Sequence, residues 1–116
     1  PYFTICPLSN IFIHRALPPL ELMRENNLKI CLGTDSLSSN TILSIAKEIV
    51  CLHNNFPQIP LQEILSWACL NGAHVVGKEA ELGSFEIGKR PGAVLISNIN
   101  WDEFKLTDDS ITKRIL

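Results

Sequence analysis

The chain has no apolar run approaching the roughly 20 residues a helical membrane span needs, and no N-terminal pattern of basic, apolar and small residues. It has no basic stripe. Lys89-Arg90 and Lys113-Arg114 are its longest Lys/Arg clusters, and 10 basic against 12 acidic residues leave a net charge of −2. A nucleic-acid surface is therefore not expected. No CxxC pair occurs among the four cysteines at 6, 31, 51 and 69, and no Cys/His spacing suits a zinc finger. Reduced core thiols of a cytoplasmic protein are the expectation. There is no GxxxxGKS loop, so the Gly88-Lys89 pair is not a phosphate cradle.

Apolar residues, by contrast, are plentiful. They make up 46% of 116 residues, with 19% charged, too apolar for a disordered chain. A chain this short has much surface for its volume. The surplus implies a dense core or an apolar face that meets something else. The sequence starts at Pro1 within a strand-like segment, as a piece of a longer chain would.

Residues 2–6 are β-branched and aromatic and end at Pro7, which predicts a short buried strand. Residues 7–16, with His14, read as a loop. Prolines 18 and 19 and the Asn26-Asn27 pair bracket a helix over 17–27. Residues 28–32 form a second apolar strand ended by Gly33. Asn40 is expected to cap a helix through Leu52, followed by a loop over 53–57, with His53 a cationic group suited to the helix end. A further helix runs from Pro60 to Leu70, closed by Asn71-Gly72, with a short one over 73–76. Beyond residue 81, glycines punctuate short segments, 94–96 is a strand, and 111–116 closes as a strand or helical turn. Short strands alternating with helices predict an α/β fold with parallel strands.

Leu32-Gly33-Thr34-Asp35-Ser36 carries the chemistry. A strand delivers a carboxylate at its C-terminal end, beside a glycine that permits close approach. In a (β/α)8 barrel that end is where catalysis sits. A carboxylate there can hold a divalent metal and take a proton from water. The plain alternative is a helix-capping or turn aspartate.

Several segments together resemble the amidohydrolase superfamily, in its cytosine deaminase-like and chlorohydrolase (ATZ/TRZ) branch. Cys6-Pro7-Leu8-Ser9-Asn10 is similar to that branch's CPxSN segment after barrel strand seven, and Pro18-Pro19 to its continuation. Residues 32–36 with Ser39-Asn40 resemble LGTDSxxSN after strand eight. Residues 67–73 resemble the WATxNGA helix, and residues 82–90 the LGSLEPGKR ending. The resemblance implies the C-terminal part of a metal-dependent hydrolase of C–N bonds. Residues 1–80 would be barrel strands seven and eight with their helices, and residues 81–116 the returning strands of a small β-sandwich and the tail. It implies Asp35 as metal ligand and proton shuttle, Ser36 and His14 as substrate contacts, and one zinc or iron ion in the whole enzyme. Ser9 and Asn10 would order the strand-seven loop, and Gly72 and Gly88 would mark turns. The family's HxH pair and the histidines of strands five and six have no counterpart, so this chain alone is expected inactive, without bound metal and self-associating. A small molecule would be the substrate, a nucleobase-like ring first. A chlorohydrolase, a cyclic amidase, or a non-catalytic α/β protein-interaction module are the rivals.

Overall fold

A computed structural model describes residues 1–116. Two short strands, β1 (Tyr2–Ile5) and β2 (Lys29–Leu32), pair in parallel, with Tyr2 opposite Lys29 and Ile5 opposite Leu32. Between them run α1 (Pro7–His14) and α2 (Leu20–Glu25). Three helices follow, α3 (Ile45–Asn55), α4 (Leu61–Ala68) and α5 (Leu70–Val75). An antiparallel pair ends the chain, β3 (Val94–Ser97) and β4 (Ile111–Arg114). No helix is long and apolar enough to cross a membrane.

One apolar cluster joins these pieces. Ile30 and Leu32 of β2 meet Leu20 of α2, Ile49 and Leu52 of α3, and Leu61, Ile64 and Trp67 of α4. Leu106, from the polar tail, inserts into the same cluster, and Ile96 and Ile99 pack on it. Each such side chain gains about 1.5–3 kcal/mol on burial. β2 is buried over three of its four residues, whereas β1 is not: Phe3 is 43% exposed and Thr4 is also exposed. The expected burial of β1 fails because nothing in this chain covers that part of it.

The segment after β1 is a helix rather than a loop. Pro7 stands in its first turn, where the ring's fixed φ suits a helix start. The Leu8 N–H, which no helical carbonyl can satisfy, donates to Glu48 Oε2 at 2.9 Å. That partner lies 40 residues away, beyond the reach of local pattern. Arg15 ends α1 in the left-handed region (φ 53°).

Other boundaries also move. Ser44, not Asn40, caps α3 through Lys47 N–H. The Asn71-Gly72 pair lies inside α5 and stops nothing; the left-handed Gly77 follows that helix. Gly88 does make a turn (φ 92°), and the Lys89 side chain beside it is tied down. Its Nζ binds Ser84 Oγ and Glu86, both at 2.8 Å. Trp101 is 72% exposed and faces Phe104.

His53 is the sharpest reversal. Helix α3 continues past it, and its side chain is buried. Nε2–H donates to the Ile59 carbonyl at 3.1 Å, and Nδ1 has no protein partner. Burial, then the bond to Ile59 in opposition, then nearby Lys105 set its proton affinity, with a net lowering. The unfolded chain therefore binds this proton more tightly than the folded one. Stability from His53 is full above its ordinary value of 6.5 and falls as pH drops below it. The slope is at most about 1.4 kcal/mol per pH unit. Thermal melting between pH 7.5 and 5.5 should show this loss, and His53→Gln should flatten it; an unchanged slope in the variant refutes the assignment.

Candidate functional site

Because β1 and β2 run in parallel, their C-terminal ends lie side by side. The Gly33 N–H extends the ladder to Ile5 O at 2.9 Å. A Cβ on Gly33 would stand 3.2 Å from Thr4 Cγ2 and 3.3 Å from Cys6 Sγ, so glycine lets the neighbouring strand close in. Two residues on, Asp35 takes a left-handed backbone (φ 56°), which aspartate tolerates better than most residues.

That turn aims the carboxylate at α1. Ser9 Oγ donates to Asp35 Oδ2 at 3.0 Å, and the Ser36 N–H donates to Oδ1 at 2.8 Å. Ser9 Oγ also lies 2.8 Å from Ser39 Oγ. The serine bond first, then the Ser36 amide, then Ser39 hold the Asp35 carboxyl below the usual carboxylate range. Asp35 is exposed, so the ionised group is fixed in direction yet open on one side.

The three expected site residues do not all meet. Ser36 adjoins Asp35 and binds it through its backbone; its hydroxyl pairs with Ser38 instead. His14 is not brought to the carboxylate by any hydrogen bond. It lies five residues past Ser9 on α1. Helical geometry sets that step at about 140° round the axis and about 7.5 Å along it. Phe12 and Ile13, at helical spacing from Ser9, follow the carboxylate's face better, and both are exposed. His74 stacks on Tyr2.

Glu48 escaped the sequence reading, and Asn40 was expected there only as a helix cap. Asn40 is buried, and its Nδ2 donates to Thr34 O at 3.0 Å and to Glu48 Oε1 at 2.7 Å. Glu48 is fully buried between Leu8 N–H and Asn40. The signal was present: Glu48 falls three residues after Ile45 and four before Leu52, on the core stripe of α3. An acid there needs buried donors.

As a metal site the donor set is partial. Asp35 offers an ionised, uncovered carboxylate that fits one ligand position. No three His, Cys, Asp or Glu side chains converge in this chain, and catalytic zinc takes three protein ligands. The remaining donors would have to come from elsewhere.

An ionised side chain at the carboxyl ends of parallel strands is the arrangement of an α/β catalytic domain. The sequence profile of the Amidohydrolase family matches residues 2–113. The chain is 31% identical over 97 residues to a 5-methylthioadenosine/S-adenosylhomocysteine deaminase of Caldanaerobacter subterraneus subsp. tengcongensis, covering 78% of this chain and 22% of that protein. Against the guanine deaminase of Mus musculus it is 31% identical over 101 residues, 79% of this chain and 22% of that one. An adenosine deaminase structure from Xanthomonas campestris with bound zinc superposes with a TM-score of 0.71 at 24% identity, over 82% of this chain and 23% of the other. E. coli guanine deaminase gives 0.61 at 25% identity, covering 80% and 22%. The chain belongs to the amidohydrolase family. It spans less than a quarter of the length of these relatives.

Proposed function

We propose that this chain is the C-terminal part of a hydrolytic deaminase acting on a purine-like ring, with β1 and β2 as strands seven and eight of a (β/α)8 barrel. Residues 1–80 then end the barrel, and residues 81–116 add the last strands of a small β-sandwich. The carrying observation is the Asp35 carboxylate, ionised and aimed by Ser9 and Ser36 at the carboxyl end of a parallel pair. Relatives named as deaminases of 5-methylthioadenosine/S-adenosylhomocysteine, 5′-deoxyadenosine and guanine support the substrate class. They lend nothing to a chlorohydrolase or cyclic amidase, and family membership speaks against a non-catalytic module.

A divalent ion, zinc or iron, would supply an activated water when bound. Asp35 would be one of its ligands and the group that receives the water's proton. That proton would leave with the amino group as ammonia, while the ring carbon keeps the oxygen and the adjacent ring nitrogen takes the water's second proton. Ser36, beside Asp35, and His14, exposed at the end of α1, would contact the substrate. The free thiols suit a cytoplasmic setting.

The test is ammonia release by the metal-loaded full-length protein from adenosine, 5′-deoxyadenosine and guanine, beside chloride release from a chlorotriazine. Turnover of the chlorinated ring alone overturns the deaminase reading. The isolated chain should be inactive and should self-associate, because Phe3, Phe12, Leu95 and Ile111 stand exposed on β1, α1, β3 and β4. A strictly monomeric species in sedimentation equilibrium would contradict the latter.

A further inference from the structure

We propose that Glu48 is a positioning residue for the Asp35 carboxylate, acting as a buried clamp that joins the loop after β2 to the start of α1. The inference rests on the deaminase reading for its catalytic consequence, but its geometry stands apart from it. Glu48 is wholly buried on α3, among Ile45, Ile49 and Leu52, where an acid is costly. Its two oxygens divide their work. Oε2 accepts from the Leu8 N–H at 2.9 Å, next to Ser9 in sequence. Oε1 accepts from Asn40 Nδ2 at 2.7 Å, and the same amide nitrogen donates to the carbonyl of Thr34, next to Asp35.

Glu48 thereby holds the two backbones whose side chains form the Ser9–Asp35 bond. Ser9 fixes Asp35 only if α1 starts at the right height and the loop from Gly33 to Asn40 keeps its course. Both conditions end on one carboxylate. Burial raises the proton affinity of Glu48 and its two donors lower it, with a net rise. Retaining an acid in such a place indicates a specific use for two acceptors rather than for apolar packing.

The chemistry also says why glutamine cannot substitute. Leu8 N–H and Asn40 Nδ2 are both donors, so both partners' oxygens must accept. An amide offers one acceptor and one donor group. Flipping Asn40 gives no escape, because its Oδ1 accepts from the Ile42 N–H at 3.3 Å. One arm must be lost in Glu48→Gln, with the atoms otherwise in place.

The full-length protein is the test object. Glu48→Gln should lower kcat about 10- to 100-fold, the scale of a reactive group displaced by about 1 Å, with KM changed less than about threefold. Amide exchange should quicken at Leu8 or at Ser36 and Ser39. Asn40→Ala should release only the Ser36 and Ser39 amides and leave Leu8 protected. Ile49→Val, a core change on the same helix, controls for general loosening and should keep kcat within about twofold. If Glu48→Gln keeps kcat within about twofold, or leaves exchange at Leu8, Ser36 and Ser39 unchanged, Glu48 is no positioning residue. If Ile49→Val loses kcat equally, the effect is general stability and the proposal falls. Should Glu48→Gln fail to fold, Asn40→Ala decides: kcat kept within about twofold, or unchanged exchange at Ser36 and Ser39, overturns the proposal. A wild-type protein that deaminates nothing would sink the deaminase reading instead, while the exchange pattern still tests the clamp.

Discussion

Asp35→Asn in the full-length protein is expected to lower kcat by about 10²- to 10⁴-fold, the usual weight of a positioned proton-transfer group. The substitution is informative because it spares the backbone. Asp35 sits at φ 56°, a region asparagine occupies as readily as aspartate. The shape, the turn and the neighbouring contacts should persist, with the amide oxygen accepting from the Ser36 N–H and the amide nitrogen donating to Ser9 Oγ, so that the Ser9 bond reverses direction. What disappears is the negative charge and the capacity to take a proton from water. KM should therefore move much less than kcat, and bound metal per chain should fall together with kcat. Steady-state ammonia release with metal analysis by atomic emission checks both. An Asn variant that keeps kcat within about threefold would remove Asp35 from the chemistry.

Gly83→Ala is expected to give the largest loss of stability among single-methyl changes, about 2–4 kcal/mol from overpacking and a strained backbone together. Gly83 lies at φ 89°, where a side chain is disfavoured. A Cβ there would stand 2.9 Å from both Ala73 Cβ and Leu70 Cα, and 3.1 Å from Cys69 O. Two of those three atoms are backbone, so no rotamer change relieves the clash. The chain after α5 must either lift off that helix or push it. Gly72→Ala is the matched contrast. It lies within α5, and nothing stands within 4 Å of the added Cβ. Helix propensity then predicts a gain of about 0.5–1 kcal/mol. Urea unfolding midpoints of the two variants should lie on opposite sides of the wild type. Equal midpoints would refute the close packing of residue 83 on α5.

Much of this architecture was legible in the residues. The apolar runs over 2–6 and 28–32, separated by prolines and polar residues, specify two short strands joined by a crossover. The Gly-Thr-Asp step announces a carboxylate at a strand end. What stayed hidden depends on partners distant in sequence. Residues 7–14 look irregular because the first N–H of α1, that of Leu8, finds its acceptor on α3. Asn40 has the composition of a cap, yet it turns inward to Thr34 and Glu48 while Ser44 caps. His53 looks like a polar helix end, and only the fold reveals the Ile59 carbonyl beside it. Leu106 sits in a weakly patterned tail and still reaches the core. In each case the local preference was sound and a tertiary contact outweighed it.

The groups that hold Asp35, directly or through the backbones beside it, all belong to residues 8–48. The Ser9–Asp35 bond closes a separation of 26 residues, and the parallel β1–β2 pair has already brought those ends together. Preorganisation of this acid is thus carried by this chain's own contacts, before any histidine from elsewhere is engaged. Incoming imidazoles would meet a ligand already immobilised, and assembly of the metal centre would spend its ordering entropy on them rather than on the carboxylate.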